Sequence, residues 1–331
     1  MIKTSTPLSD SFGRRLNYLR ISVTDRCNLR CHYCMPVEGL RFHQKSEILT
    51  FEEIVRTVQV ANRLGVDRAR ITGGEPLVRQ DLPLLIRMLH QETQLKEISM
   101  TTNGMLLERF ADELAAAGLD WINVSLDSLR EKRFHQITRF GQLDTVLRGI
   151  ERAAQAGIRP IKLNTLILKD FNDDELDELV RLTLEQELIV RFLELMPIGE
   201  GVRLGHLGSY LDLTQARQQL IGRYGLVPAK VSRGNGPAKY WQIPGAKGMI
   251  GFITPISDKY CDSCNRVRLT SNGEIWPCLA YDTHVKLGTA IKAGDLGAIE
   301  AGLRQAARIK PAGHHWEKGQ VTQTAMSSLG G

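Results

Sequence analysis

Six short β-branched segments alternate with five amphipathic helical segments over the first 196 residues of this 331-residue chain. The predicted strands are residues 18–24, 69–72, 97–102, 121–126, 160–168 and 190–196. The predicted helices are residues 51–64, 82–91, 106–117, 143–156 and 174–187. Such alternation is typical of a parallel sheet with right-handed crossovers, and a closed barrel would need eight strand–helix units. We therefore predict an α/β fold in the form of an incomplete (βα)6 TIM-like barrel.

Signals at the ends of these segments support their boundaries. Thr50 and Glu53 form the pattern of a capping box ahead of the first helix, and Gly65, Gly118 and Gly157 are placed as C-terminal caps. After residue 197 the alternation stops. The remainder reads as a glycine-rich linker at 197–207, a helix at 209–224, strands at 239–243, 248–253 and 266–270, and helical pieces to about residue 309. We predict two domains, a partial barrel at 1–197 and a C-terminal α+β segment at 198–331 that covers the barrel's open side.

The six cysteines fall into two sets of three. The sets are Cys27, Cys31 and Cys34, spaced Cys-x3-Cys-x2-Cys, and Cys261, Cys264 and Cys278, spaced Cys-x2-Cys-x13-Cys. Three thiolates are one short of the four ligands that close a structural zinc or iron–sulfur site, so each set leaves one metal position open. Two incomplete sets favour two iron–sulfur clusters. Zinc stays open as an alternative, with His32 or His284 as a fourth ligand.

Charge and hydropathy narrow the classes of partner. The formal net charge is +6, and the Lys and Arg residues are dispersed without a block of five or more. This distribution disfavours a polybasic nucleic-acid tail and suits an anionic small molecule. No apolar run reaches the roughly 20 residues of a membrane span, and the first 15 residues lack a signal-peptide pattern. Together with the free thiols, these features predict a protein of the reducing cytosol.

Residues able to do chemistry follow the predicted strands one after another. They are the 27–34 loop after the first strand, Gly73-Gly74-Glu75-Pro76 after the second, residues 101–104, Ser125 and Asp127, Lys162, and Met196 with Pro197. Each is common turn chemistry or a surface residue when taken alone. Because barrels of this kind bind ligands at the carboxyl ends of their strands, the shared placement predicts one site. The paired glycines would let a ligand approach the backbone closely.

These residues resemble a known superfamily. The 27–34 motif, with Tyr33 before its last cysteine, is similar to the radical S-adenosylmethionine signature, and the run beginning Gly73-Gly74 is similar to that superfamily's methionine-binding element. Residues 21–31, the second cysteine set and the terminal Gly330-Gly331 resemble more narrowly the GTP 3′,8-cyclase family, also called molybdenum cofactor biosynthesis protein A. The resemblance extends over the whole chain.

The resemblance implies two 4Fe–4S clusters and S-adenosyl-L-methionine as cofactors. The open iron of the first cluster would bind S-adenosylmethionine, and its cleavage would release a 5′-deoxyadenosyl radical. Cofactor contacts would come from Tyr33, Gly74, Asn103, Ser125 and Met196.

The resemblance also implies GTP as the substrate, bound through guanine at the second cluster. The radical would take the ribose 3′ hydrogen, and the sugar radical would attack guanine carbon 8. This lyase reaction gives (8S)-3′,8-cyclo-7,8-dihydroguanosine 5′-triphosphate, early in molybdenum cofactor biosynthesis. Substrate contacts would be Arg20, Arg70, Thr101, Lys162, Arg266, Val267 and Arg268, with Arg68 and Arg191 as further phosphate contacts. Several converging cations suit a triphosphate of roughly four negative charges.

The implied catalytic group is Arg20 with Gly330 and Gly331, a tail thin enough to reach into the site. A ubiquitin-like adenylated tail fits less well, because no small β-grasp pattern precedes it. The implied partners are an external reductant, a second copy of the chain in a homodimer, and cyclic pyranopterin monophosphate synthase, which would receive the product in the cytoplasm. Neither nucleic acid nor a membrane is expected.

Two other interpretations remain open at this point. Radical enzymes that modify peptides also carry C-terminal auxiliary clusters, although they usually have more cysteines there. A non-catalytic zinc protein could bind nucleic acid through its C-terminal ribbon. That interpretation predicts two zinc ions and an affinity that falls steeply with salt.

Overall fold

The computed structural model describes residues 6–231 and 233–330, and the elements named below lie within them. The strands are β1 (Tyr18–Ser22), β2 (Arg68–Thr72), β3 (Glu97–Thr102), β4 (Trp121–Ser125), β5 (Ile161–Leu166), β6 (Leu168–Lys169), β7 (Leu188–Leu193), β8 (Ser209–Tyr210), β9 (Val227–Ala229), β10 (Lys239–Gln242), β11 (Met249–Ile253), β12 (Arg266–Leu269), β13 (Glu274–Trp276) and β14 (Val285–Lys286). The α-helices are α1 (Phe51–Arg63), α2 (Leu82–Glu92), α3 (Leu107–Ala116), α4 (Glu131–Thr138), α5 (Leu143–Gln155), α6 (Leu176–Glu185), α7 (Leu213–Tyr224), α8 (Gly288–Ala293), α9 (Leu296–Arg308) and α10 (Met326–Leu329).

Twelve of these strands form one sheet in the order β14-β13-β12-β1-β2-β3-β4-β5-β7-β11-β10-β9. The run from β12 to β11 is parallel throughout. The six predicted strands form its centre, and the C-terminal part adds β12 to one edge and β11 to the other. The predicted α/β class is confirmed, and the sheet stays open between β14 and β9, as an incomplete barrel requires. The C-terminal segment extends the sheet as well as following it.

The predicted elements of the first 196 residues are present, with ends shifted by at most three residues. The predicted capping box forms, since the Thr50 side chain accepts from the Glu53 amide and the Glu53 carboxylate accepts from Thr50 N at 2.7 Å. Gly65, Gly118 and Gly157 follow their helices with φ of +86°, +92° and +85°. These left-handed values explain why glycine occupies the caps.

Some elements were missed or misread. Helix α4 and strands β13 and β14 were not predicted. The interpretation of residues 197–207 as a linker was wrong, because the segment contains the 3₁₀ helix Gly199–His206. Leu204 of this helix is buried in a small core with Leu168, and its apolar contact outweighs the glycine content. The division of the chain at residue 197 stays a prediction.

The two faces of the parallel sheet differ in chemistry because successive side chains on a strand point to opposite sides. On one face, Leu19, Ile71 and Val124 pack with helix residues such as Val58 and Leu85 in the main core. On the other face, arginines and other polar residues of the same strands surround a cavity. In the described residues, no helix is both long and apolar enough to cross a membrane.

Candidate functional site

A cavity of about 260 Å³ lies beside the carboxyl ends of the parallel strands. All five predicted cofactor contacts line it, namely Tyr33, Gly74, Asn103, Ser125 and Met196. Five of the seven predicted substrate contacts also line it, namely Arg20, Arg70, Thr101, Arg266 and Arg268. The first cysteine set opens into the same cavity. Residues distant in sequence are therefore brought together at the rim that the strand pattern indicated.

Burial dominates the chemistry of the first cysteine set. It raises the pKa of the Cys27 thiol to about 11, with Glu75 adding to the effect, and the pKa of Cys34 to about 12. The pKa of Cys31 is also raised by burial, and then by Cys34 and Asp127. Thiols in such surroundings become thiolates when a metal supplies positive charge, since a coordinating thiol is deprotonated outright. Asn103 Nδ2 and the Leu29 amide lie 3.7 Å and 3.4 Å from Cys27 Sγ as donors.

The paired glycines pack one loop of the protein against another. Gly74 N donates to Thr24 O at 2.8 Å. A Cβ atom on Gly74 would lie 2.4 Å from Arg26 O, and one on Gly73 would lie 2.7 Å from Thr24 O. The expectation that the missing side chains make room for a ligand was therefore wrong in its reason. They make room for the backbone that precedes Cys27, which fixes the height of the cysteine loop over the sheet.

Two buried carboxyl groups hold cofactor contacts in place. Glu75 accepts from Asn103 N at 2.6 Å and from Thr102 Oγ1 at 2.7 Å, and burial raises its pKa to about 7. Asp127 accepts from the Tyr33 hydroxyl at 2.8 Å, and burial raises its pKa to about 6. Neither was predicted as a site residue. Their position directly after the second and fourth strands was the available signal.

The cavity floor carries a set of buried cations. Arg268, Arg20 and Arg70 are in register across β12, β1 and β2, so their side chains stand in one row. Each has no more than 8% of its surface exposed. Burial lowers the pKa of all three, to about 10 for Arg268, where Arg266 adds to the effect. Such a row would be stabilised by a polyanion.

Arg191 belongs to the same floor and lines the cavity, held by the side-chain oxygens of Asn123 and Asn164. Arg68, the other suggested phosphate contact, is not in the cavity wall. Its guanidinium is 3.8 Å from Asp67 and 4.0 Å from Glu97.

Two predicted substrate contacts lie outside the cavity wall. Lys162 is fully buried behind it, where Nζ donates to Arg233 O at 2.7 Å and stands 3.8 Å from the Trp121 ring centroid. Burial lowers the pKa of Lys162 to about 6, with Arg191 and Arg70 adding to the effect. Val267 is 0% exposed and packs in the main core, on the opposite face of β12 from its arginine neighbours. Only its backbone could reach a substrate.

The second cysteine set lines a smaller cavity of about 80 Å³. The two cavities share five wall residues, namely Met196, Tyr260, Arg266, Arg268 and Leu279. Burial alone would raise the pKa of Cys264, but Arg266 and Lys310 lower it to about 6. Arg266 Nη2 also donates to Cys264 Sγ at 3.4 Å. The second set thus sits beside cations at the far end of one continuous region.

The C-terminal residues enter the larger cavity. Gly330 O accepts from Arg20 Nη2 at 2.9 Å and from Arg268 Nη1 at 3.0 Å. Gly330 has φ of +74°, and a Cβ atom there would lie 2.3 Å from Thr72 Oγ1. Only glycine fits this combination of backbone and space. The other predicted tail residue, Gly331, lies outside the described residues.

The histidines proposed as zinc ligands point elsewhere. His32 Nδ1 lies 3.2 Å from His206 Nε2 and 3.0 Å from Arg139 Nη2. His284 stacks on Trp276 with 4.7 Å between ring centroids. Within residues 6–231 and 233–330, no three His, Cys, Asp or Glu side chains are arranged to hold a single metal ion. That spacing suits thiolates that each bind a different iron of one cluster.

Comparison with known proteins agrees with this geometry. Residues 21–183 match the Radical SAM superfamily, and residues 188–316 match the family described as Molybdenum Cofactor Synthesis C. The GTP 3′,8-cyclase of Petrotoga mobilis is 43% identical over 323 residues, covering 97% of this chain and 99% of the relative. That of Peptoclostridium acidaminophilum is 44% identical over 324 residues, covering 98% of each.

The chain belongs to the GTP 3′,8-cyclase family. A crystal structure of Streptococcus suis SuiB bound to S-adenosylmethionine shares the fold, with a TM-score of 0.62 over 91% of this chain and 68% of that one. Sequence identity there is 17%. A second structure, of SuiB bound to precursor peptide SuiA, has a TM-score of 0.59 at 16% identity, over 98% of this chain and 76% of that one. These low identities establish the shared architecture alone.

Membership of the GTP 3′,8-cyclase family brings two 4Fe–4S clusters and S-adenosylmethionine as cofactors, and the residues fit them. Each cysteine set lines a cavity, so each would present a cluster's remaining iron to open space. The buried thiols exclude water, and the side chains around Cys27 and Cys264 offer hydrogen bonds to sulfur. Donors to cluster sulfur are among the usual means by which a protein tunes such a site.

Proposed function

We propose that this chain is itself a GTP 3′,8-cyclase that works in molybdenum cofactor biosynthesis. The observation that carries the proposal is the placement of the two cysteine sets at the two ends of one continuous cavity, with buried arginines between them. An arrangement of this kind brings a radical source and a nucleotide within contact of each other. Proximity of this type supplies much of the barrier reduction in reactions between two bound molecules.

The residues around the first set orient S-adenosylmethionine. A 4Fe–4S cluster bound there supplies the electron that cleaves the sulfonium to methionine and a 5′-deoxyadenosyl radical. Asp127 fixes the Tyr33 hydroxyl at the cavity wall, and Glu75 fixes the Asn103 backbone. Ser125 and Met196 complete the proposed contacts from the ends of β4 and the segment after β7. Their shared task is to hold the cofactor in one pose and keep water out.

The arginine row binds the triphosphate. Arg20, Arg70 and Arg268 offer a fixed set of donors on the sheet, and Arg266 stands between this row and the second cysteine set. The guanine is proposed to lie on the Cys264 side. The proposed conversion moves the hydrogen of ribose carbon 3′ to the deoxyadenosyl radical and joins carbon 3′ to guanine carbon 8. After one electron and one proton are taken up, the product is an isomer of GTP that keeps its triphosphate.

Further partners are part of the proposal. The reaction needs an external reductant, and the product is proposed to pass to cyclic pyranopterin monophosphate synthase. We also propose a homodimer in the cytoplasm. The six cysteines, all free among the described residues, support a reducing compartment.

Anaerobic reconstitution with iron and sulfide, followed by reductant, S-adenosylmethionine and GTP, tests the function. Mass spectrometry should detect 5′-deoxyadenosine together with a product of GTP mass and altered fragmentation. Deoxyadenosine with unchanged GTP would refute the substrate and leave the radical chemistry standing. If fully iron-loaded protein formed neither product, the whole proposal would fail.

A further inference from the structure

Lys310 is a buried ammonium group beside the second cysteine set. It follows helix α9, only 3% of its surface is exposed, and it lines the smaller cavity. Its Nζ donates to Arg266 O at 2.9 Å and also to Pro277 O. Arg266 lies two residues after Cys264, and Pro277 directly precedes Cys278. The ammonium therefore joins the two chain segments that carry these cysteines.

Among the described residues, no carboxylate forms an ion pair with this ammonium, whose printed partners are the two carbonyls. A buried charge without a counter-charge is strongly unfavourable, so such groups are found paired or beside a metal centre. Carbonyl oxygens satisfy hydrogen bonds but carry no net charge. The surroundings of Lys310 are thus incomplete without an anion.

The anion available to Lys310 is the second cysteine set. Lys310 lowers the pKa of Cys264 and acts in the same direction on Cys278. Unlike Arg266 and Arg268, it does not line the larger cavity where the triphosphate is proposed to bind. Its charge therefore acts on the cysteines and on what they hold, and not directly on the substrate phosphates.

We propose that Lys310 is a positioning residue that compensates the negative charge of the second cluster and raises its reduction potential. The inference rests on the proposed function, because it requires a 4Fe–4S cluster on Cys261, Cys264 and Cys278. Reduction adds one negative charge to a cluster. A fixed positive charge in a poorly solvated site stabilises that extra charge, so the reduced form gains more than the oxidised form.

Three substitutions separate the charge from the hydrogen bonds. Lys310→Arg keeps the charge, Lys310→Gln keeps an N–H donor without charge, and Lys310→Met removes both. They are made in full-length protein carrying Cys27→Ala, Cys31→Ala and Cys34→Ala, so that any cluster signal comes from the second set. The reduction potential is followed by electron paramagnetic resonance during a redox titration, with iron content measured in parallel. Lys318→Gln, an exposed lysine of the same C-terminal segment, is the matched control.

We expect a more negative potential in Lys310→Gln and Lys310→Met, a smaller change in Lys310→Arg, and none in Lys318→Gln. Loss of iron in Lys310→Gln with retention in Lys310→Arg would support the same conclusion, since the missing charge would then weaken cluster binding. An unchanged potential in Lys310→Gln at full iron content would overturn the proposal. Equal iron loss in the Arg and Gln variants would also overturn it, because shape and not charge would then be decisive. If the parent protein with Lys310 binds no iron at the second set, the proposed function fails instead.

Discussion

Buried carboxyl groups of Glu75 and Asp127 act on the first cysteine set, whereas the cations Arg266 and Lys310 act on Cys264 in the second. Both sets are largely buried, so burial raises thiol pKa values in each. The neighbours then decide the outcome. Cys27 has a pKa of about 11, and Cys264 has a pKa of about 6. The same residue type at similar burial thus differs by about five orders of magnitude in acidity.

The contrast matches two different tasks. Acidic neighbours destabilise an added electron, so a cluster on the first set should be the stronger reductant. Cationic neighbours stabilise an added electron and also attract an anionic substrate. The first set therefore suits reductive cleavage of a sulfonium, and the second suits the binding of a nucleotide. Substitutions that act on one set and leave the other intact can break or sharpen this division.

The largest expected effect comes from removing single thiols in each set. Cys31→Ala should abolish deoxyadenosine formation, because the radical source is lost. Cys278→Ala should abolish conversion of GTP and still cleave S-adenosylmethionine, because only the nucleotide end is affected. Both products are measured by mass spectrometry in the same anaerobic assay. Loss of deoxyadenosine in Cys278→Ala, with iron still bound at the first set, would contradict a division of tasks.

The tail that joins the two regions should be nearly as sensitive. Deleting Gly330 and Gly331 should abolish cyclisation while iron content stays at that of two clusters, because Arg20 and Arg268 lose the Gly330 carbonyl that they share. Gly330→Ala should reduce turnover at least tenfold, since its Cβ would meet Thr72 Oγ1 at 2.3 Å.

Gly319→Ala is the matched control for the tail. Gly319 has nearly the same backbone, with φ of +79°, and its Cβ would meet nothing within 4 Å. It should therefore show the strain of a left-handed alanine, on the order of 1 kcal/mol, with normal turnover. Equal losses in the two variants would show that backbone strain, and not the site, explains the effect. Full turnover by the truncated protein would remove the tail from the mechanism.

Much of this arrangement could be read from residue spacing. The cysteine sets were evident, and period-two alternation placed Arg266 and Arg268 on one face of a strand. The pairing of Arg20 with Arg268 was not predictable, because it requires β12 to return to the sheet edge some 248 residues after β1. Only this long-range pairing turns single arginines into a row.

The supporting residues were missed for a different reason. Glu75 and Asp127 act on Asn103 and Tyr33 through side-chain hydrogen bonds across neighbouring strands. Sequence alternation predicts which elements are adjacent but not which buried carboxyl group meets which donor. Lys310 was missed likewise, because it follows an ordinary amphipathic helix, and its role depends on two carbonyls more than 30 residues away.

Thiol reactivity in the iron-free, reduced protein compares the two sets directly. At pH 7, Cys264 should be about 90% thiolate and Cys27 about 0.01%, from pKa values of about 6 and about 11. A less basic thiolate is a weaker nucleophile, with a Brønsted slope of about 0.4–0.5, so the net difference in alkylation rate should be about fifty-fold. Iodoacetamide labelling followed by peptide mass spectrometry measures both rates. Arg266→Met should slow Cys264 and leave Cys27 unchanged, whereas equal rates for the two wild-type thiols would contradict the electrostatic contrast.

The smallest expected effect concerns the cation behind the arginine row. The pKa of Lys162 is lowered to about 6, so in free protein the ammonium is lost as pH rises through 6. A bound triphosphate favours the charged form and raises that pKa, so binding takes up protons above pH 6. GTP affinity should therefore fall about fivefold between pH 6 and pH 7, with less than one proton taken up. Calorimetry in buffers of different ionisation enthalpy measures this uptake without turnover. Lys162→Met should remove the part that belongs to the lysine and leave the titration of the GTP phosphates, whereas equal uptake in both proteins would place Lys162 outside the triphosphate site.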